Sequence, residues 1–252
     1  MIIGTLHQGS GLGNQLHRYV ATRVLALDKG YSYRIEGYGQ FKGHSFMNLE
    51  ISTPGRPWTI TDKQWNEKKV VENGVDIRGY DPEINFVEDN TIIEGEFQDE
   101  RYFEHRYPEI REWLKVEPLD IHDDLCVINF RGGEYTAFPE LYLDREYWLE
   151  AINIMKLNGV HRFEVHTDDI ESAKNWIGSF LDKDTKYIKE IGLNWRSIRY
   201  AKHLILSNSS FAILPALLNE DVKEIIAPRY WARHNTKTWA LPQNYYKRMT
   251  YI

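Results

Sequence analysis

The chain has 252 residues, 42% hydrophobic and 27% charged, and a net charge of -6 at pH 7. This suits a globular protein of one large or two small domains, and the acidic balance excludes a nucleic-acid binder that works through bulk positive charge. The single cysteine, Cys126, lies inside an apolar run, so the chain can form no intrachain disulfide or cysteine-based metal site, and the residue reads as a buried core thiol in a reducing setting.

A short apolar strand opens the chain at Ile2 to Leu6, followed by the glycine-rich loop Gly9-Ser10-Gly11-Leu12-Gly13. Leu16, Tyr19, Val20, Val24 and Leu27 recur at helical spacing, which predicts a helix over Asn14 to Lys29, stopped by Gly30. Tyr31 to Ile35 reads as a second strand. Residues 37 to 90 are rich in Gly, Pro and Asn with weak periodicity, which predicts mostly loop with short elements. Thr91 to Gly95 reads as a strand and Asp99 to Lys115 as a helix, with Pro108 able to break or restart it. The acidic, proline-containing segment Val116 to Asp124 is the best linker.

Beyond it the strand and helix signals alternate. Predicted strands are Leu125–Phe130, Arg162–His166, a short one near Tyr187, His203–Ser207 and Lys223–Ile226. Predicted helices are Asp144–Leu157, Ile170–Leu181, Asn194–Ala201 and Ser210–Leu218. Repeated βα units imply a parallel sheet covered on both faces. Two such halves suggest two Rossmann-like domains with a cleft between them.

Five places combine a strand end with polar or glycine-rich residues. Gly9 to Gln15 lies where phosphates or sugars meet free backbone N–H groups. It matches the dinucleotide fingerprint incompletely, since Asn14 takes the place of the last glycine. Glu36 sits where a ribose-binding acid would, so an NAD-dependent oxidoreductase is an alternative. The second place, Asn129-Phe130-Arg131-Gly132-Gly133-Glu134-Tyr135, ends a strand in a guanidinium suited to phosphate and in glycines that admit a ligand to the backbone; it reads equally as a structural ion pair. The third is Glu164 to Asp169, where Asp168 or Asp169 either caps the next helix or accepts hydrogen bonds from a base or ribose. The fourth, Ser207-Asn208-Ser209-Ser210-Phe211, opens a helix with more small polar residues than a cap requires. The fifth, Arg229-Tyr230-Trp231-Ala232-Arg233-His234, is a basic-aromatic patch that contacts phosphate, stacks on a sugar, or is simply solvated surface. No metal-binding D-x-D stands between short strands, so Arg131 and helix N-termini would carry the phosphate charge.

Taken in order, these motifs resemble the bacterial-type α-1,2-fucosyltransferases, glycosyltransferase family 11. The family's G-G-L-G-N-Q loop corresponds to Gly9 through Gln15, and its G-Y-F-Q-x-x-x-Y-F segment to Gly95 through Phe103. Its H-x-R-R-G-D-Y motif corresponds to Asn129 through Tyr135, its S/T-D-D motif to Thr167-Asp168-Asp169, and its N-S-S-F motif to Asn208 through Phe211. Asn129 stands in place of the family's histidine, Gly132 of its second arginine and Glu134 of its aspartate. Ile213-Leu214 replaces an aromatic pair.

The resemblance implies an α/β, GT-B-like fold: two Rossmann-like domains with parallel sheets facing a cleft. Residues 1-118 would form the acceptor side and 119-252 the nucleotide-sugar domain. The implied reaction is inverting, metal-independent transfer of a sugar, L-fucose from GDP-β-L-fucose, to a glycan hydroxyl in α-1,2 linkage. No cofactor is implied beyond the nucleotide-sugar donor; the partners are that donor and an oligosaccharide acceptor, with no nucleic acid. Implied donor-binding residues are Gly11, Gly13, Asn14, Arg131, Asp168, Asn208, Ser209, Ser210 and Phe211, with Arg131 and Glu134 catalytic. Glu134 is the candidate general base, although Arg131 beside it favours its charged form and suits it to bracing the arginine. The departures leave open another nucleotide sugar, or a non-catalytic glycan- or nucleotide-binding relative. No apolar run approaches the ~20 residues that span a bilayer, and no signal-peptide core stands at the N-terminus. The expectation is a cytoplasmic enzyme without a transmembrane segment, compatible with peripheral membrane association.

Overall fold

The computed structural model describes residues 1–57, 61–68, 70–72, 75–77, 79–232 and 246–252, with backbone alone for 70–72 and 75–77. The protein is α/β and divides into two compact units, Met1–Lys115 and Val116–Ile252.

The first unit contains β1 (Ile2–Thr5), α1 (Leu12–Lys29), β2 (Tyr33–Glu36), β3 (Gln64–Asn66), β4 (Val70–Glu72), β5 (Val75–Ile77), β6 (Thr91–Glu94) and α2 (Tyr107–Trp113). Four strands form a parallel sheet in the order β2-β1-β6-β3, while β4 and β5 make a separate antiparallel hairpin. Leu16, Tyr19, Val20 and Val24 of α1 are buried, as their helical spacing requires. The helix ends at Gly30 in the left-handed region, φ 65°, a conformation that glycine adopts without a Cβ clash. It packs closely on β1: a Cβ added to Gly4 would lie 2.0 Å from the Thr22 hydroxyl. β3 was hidden in the loop-like stretch because Gln64-Trp65-Asn66 is an exposed edge without apolar alternation. The long helix expected over Asp99 to Lys115 is instead two single 3-10 turns followed by α2. Asp99 caps the first turn through its side chain, and Pro108 sits in the opening turn of α2, where its missing N–H costs nothing.

The second unit contains β7 (Leu125–Phe130), α3 (Arg145–Leu157), β8 (Arg162–Thr167), α4 (Ile170–Ile177), β9 (Lys186–Ile188), α5 (Ile191–Tyr200), β10 (His203–Ile205), α6 (Ser210–Leu218), β11 (Glu224–Ala227) and β12 (Thr250–Tyr251). All six strands are parallel, in the order β9-β8-β7-β10-β11-β12. Counted within the unit this is 3-2-1-4-5-6, the Rossmann order, whose chain direction reverses between β7 and β10. Both faces are covered. Cys126, Ile128 and Phe130 pack with Trp148, Ile152 and Met155 of α3 and Ala173 and Ile177 of α4. Val127 points the other way, to the face where α5 contacts β7 and α6. Cys126 is fully buried, which pushes its thiol pKa well above the ordinary value and makes it inert. Asp144, Asp169 and Glu190 cap α3, α4 and α5 through their side chains. The Glu190 cap starts α5 three residues earlier than its apolar pattern suggests. No described helix is long and apolar enough to cross a membrane.

Candidate functional site

The crossover of the second sheet gathers the polar residues. β7 and β10 are adjacent, so the loops leaving their carboxyl ends lie side by side, and β8 delivers a third loop next to β7. Arg131 follows β7 directly. One Nη donates to Asp168, on the loop after β8, and the other donates to Glu134 at 2.8 Å. Its guanidinium also lies over the Tyr135 ring, 5.1 Å from the centroid, and the Tyr135 hydroxyl donates to the Asn208 carbonyl at 3.5 Å, tying the β7 loop to the β10 loop. Burial pushes the Tyr135 pKa up. Asp168 therefore serves the arginine, and Asp169 serves the helix: its side chain accepts from Ser172 N at 3.1 Å and Ser172 Oγ at 2.6 Å, contacts that hold its carboxyl below the usual carboxylate range.

The two glycines have a structural duty. The Gly132 amide donates to Asp168 at 2.8 Å. A Cβ on Gly132 would lie 3.1 Å from the Asp169 Cβ and 3.2 Å from the Ser172 Cβ. Gly133 has φ 43°, and a Cβ there would meet the Asp168 carboxylate at 2.5 Å. They let the aspartate close on the backbone, and a side chain at position 132 would press on Asp169 and Ser172. Asn129, in place of the histidine, is buried and accepts from Ser207 Oγ at 2.8 Å, joining the ends of β7 and β10.

The β10 loop divides its polar residues between framework and opening. Asn208 donates to the Leu141 carbonyl at 2.9 Å and the Trp231 carbonyl at 2.6 Å, and is 1% exposed. Its amide is a staple between segments. Ser209 precedes α6, yet its hydroxyl makes no capping bond. Ser210 opens the helix, and Phe211 packs edge-on against Trp195. In the basic-aromatic patch, Arg229 through Ala232 follow β11, while Arg233 and His234 lie outside the described residues.

A cavity of about 510 Å³ lies elsewhere, along the amino ends of β7, β8 and β9 at Leu125, Arg162 and Lys186. Asp120, Asp182 and Asp184 also line it, so its charge is mixed and does not suit a diphosphate.

The first unit has its own strand-end cluster. Gly11 precedes α1 without a side-chain cap, with open space where its Cβ would stand; Gly13 lies inside the helix and accepts from His17 Nδ1. Asn14 Oδ1 accepts from Gln98 Nε2 at 3.1 Å, uniting the glycine loop with the segment after β6. Gln15 is buried and holds residues 40 and 42 through both ends of its amide. Glu36 pairs with Arg34. Sequence reasoning missed the charged residues here. Arg18 donates to the Gly95 carbonyl at 2.7 Å, Ser10 Oγ at 3.1 Å and Glu96 at 2.8 Å. Glu67 accepts from the amides of Glu96 and Phe97, and Phe97 sits at φ 50°, a strained value for a bulky residue. His7 Nε2 lies 2.7 Å from Glu94 Oε2. The available signal was position: His7 and Glu94 stand at the ends of two predicted strands.

No protein-family model and no curated protein matches the chain. Among solved structures, the fucosyltransferase NodZ from Bradyrhizobium aligns at 12% identity, covering 89% of this chain and 94% of its own, with a TM-score of 0.46. The E. coli heptosyltransferase WaaC with ADP aligns at 12% identity, covering 91% and 88%, with a TM-score of 0.42.

Proposed function

We propose that the chain is an inverting glycosyltransferase whose second unit binds the diphosphate of a nucleotide sugar at the crossover between β7 and β10. One observation carries this. A guanidinium on the β7 loop and a helix N-terminus without a side-chain cap on the neighbouring β10 loop, the loops tied by Tyr135 to Asn208, both follow the strand ends where Rossmann-ordered sheets bind ligands. Arg131 has a planar fork of donors for phosphate oxygens, and α6 directs backbone N–H groups and the positive end of its dipole to the same place. The barrier falls because charge growing on the departing diphosphate meets donors already in position; one such donor contributes roughly 3 kcal/mol. Asp168 orients Arg131. The favoured donor is GDP-L-fucose and the favoured product an α-1,2-linked glycan, on the order and spacing of the five motifs; the acceptor falls to the first unit.

The charge count defines the alternative. Arg131 faces two carboxylates, a poor host for a diphosphate while both remain. Glu134 is 69% exposed, and exposed pairs are worth only about 0–1 kcal/mol, so a phosphate oxygen displaces it. If it did not, the site would suit a less charged ligand and the protein would be a binding module. The experiment is turnover of a panel of GDP-, UDP- and dTDP-sugars with galactoside acceptors, by the wild type and by Arg131→Ala. Transfer from a GDP-sugar that the substitution abolishes supports the reading. Nucleotide binding with no hydrolysis or transfer across the panel would sink the enzyme and leave the binding module.

A further inference from the structure

The cavity of about 510 Å³ at the amino ends of β7, β8 and β9 has no part in the diphosphate site. All of its lining residues belong to the second unit. Glu164 in its wall lies four residues along the chain from Asp168, about 13 Å at the rise of a strand. Periodicity builds the walls. Arg162, Glu164 and His166 alternate onto one face of β8. Leu193 and Ser197, one turn apart on α5, line the same space. Leu125, Phe163 and Ile188 make the rest of the wall apolar.

The charges in the lining do not balance. Asp120, Glu164, Asp182 and Asp184 stand against Arg162 and Lys186, an excess of two carboxylates with His122 taken as neutral. Arg162 is already engaged by Asp124 at 3.2 Å. Asp120, Asp182 and Asp184 are exposed and make no ion pair among the described residues. Glu164 lies deeper, with its side chain 17% exposed, and one of its oxygens accepts from Nε2 of the fully buried His166 at 2.8 Å. That hydrogen bond holds the Glu164 carboxyl below the usual carboxylate range, so it is charged at neutral pH. Its other oxygen has no hydrogen-bond partner among the described residues. Ser197 is a second unanswered group: it is 1% exposed, and its Oγ has no partner among the described residues. A hydroxyl buried to this extent is normally hydrogen-bonded, which points to an occupant of the cavity it lines.

We infer that this cavity binds a small diamine, two ammonium groups joined by an apolar chain. One ammonium donates to the open oxygen of Glu164, and a rotation of the Ser197 side chain lets its hydroxyl oxygen accept from the same group. The other ammonium lies among the exposed aspartates, and the methylenes cover Leu125, Phe163 and Ile188. Two positive charges cancel the excess of two carboxylates, and the volume falls in the range of small-molecule pockets. An inorganic cation would leave the apolar wall unused, and the described residues hold no group of three metal-ligating side chains. The site stands apart from the glycosyl-transfer reading.

Titration calorimetry with hexamethylenediamine at physiological ionic strength tests this without any need for turnover. The expected result is saturable binding of one molecule per chain. Hexylamine, with a single ammonium, should bind about fivefold more weakly, the worth of an exposed ion pair, and equimolar Mg²⁺ should not displace the diamine. Glu164→Gln keeps an acceptor for His166 and should lose at least about 30-fold in affinity, the lower end for truncating a part-buried charge pair. Leu193→Trp fills the cavity without changing its charge and should abolish binding, with folding of both variants judged by circular dichroism melting. Glu171→Gln removes an exposed carboxylate of α4 outside the cavity and should leave the affinity unchanged. A wild-type chain without saturable binding overturns the site. So does a folded Glu164→Gln chain with wild-type affinity, an equal loss in Glu171→Gln, or displacement of the diamine by Mg²⁺.

Discussion

Arg131 stands between Asp168 and Glu134, and these two acids have different duties. Asp168 is 30% exposed and takes both the guanidinium and the Gly132 amide, so it fixes the arginine's position. Among the described residues, Glu134 pairs with the guanidinium alone, from an exposed turn. Glu134→Gln should therefore tighten GDP binding, by up to about fivefold, the equivalent of about 1 kcal/mol for an exposed pair. It should change turnover by less than about tenfold; titration calorimetry and initial rates check both, and a hundredfold loss of turnover would make Glu134 the base. His17 in the first unit concerns stability. Burial lowers its pKa from the ordinary 6.5 to about 4, and its Nε2 has no hydrogen-bond partner among the described residues. The folded chain resists a proton that the unfolded chain accepts, so stability is full above pH 6.5 and falls as pH drops towards 4. The loss amounts to about 3 kcal/mol. Urea unfolding across that window should show it in the wild type and much less in His17→Gln. An equal slope in both would remove this explanation.

The strand and helix scale was the most legible in the sequence. Leu125–Phe130 and Ser210–Leu218 were marked to the residue, because a parallel-sheet strand buried on both faces is a continuous apolar run and α6 is bounded by serines and Asn219. Polar elements were not legible: β3 has no apolar alternation, and β12 is two residues long. Site residues were legible as positions, not as duties. The motif marks Arg131, Asp168 and Asn208 alike, yet whether a side chain faces a ligand or staples two loops depends on partners far along the chain, as with Asn208 and Trp231. The same limit applies to Gly4, which reads as an ordinary strand residue. Its missing Cβ is what lets α1 approach β1. Gly4→Ala should cost about 1–3 kcal/mol by overpacking, and adding Thr22→Ala should recover part of it. A double-mutant cycle measures the coupling, and strict additivity would contradict the close approach.

Over the whole molecule, each of the two compact units carries a parallel sheet, and in each a set of polar residues gathers beyond the ends of adjacent strands. In the first unit they are His7, Glu94, Arg18 and Asn14; in the second, Arg131, Asp168 and the start of α6. On the proposed reading, a chain with a net charge of -6 would hold an anionic ligand through a local positive potential, supplied by one oriented guanidinium and one helix end. The central claim is that Arg131 holds the departing diphosphate. Its most direct test is the rate of transfer from the GDP-sugar that the wild type uses, compared with Arg131→Ala folded as judged by circular dichroism. The account predicts a loss of at least about 10²-fold in kcat, the cost of removing one transition-state donor, together with weakened GDP binding. A folded Arg131→Ala enzyme with the wild-type rate would contradict it.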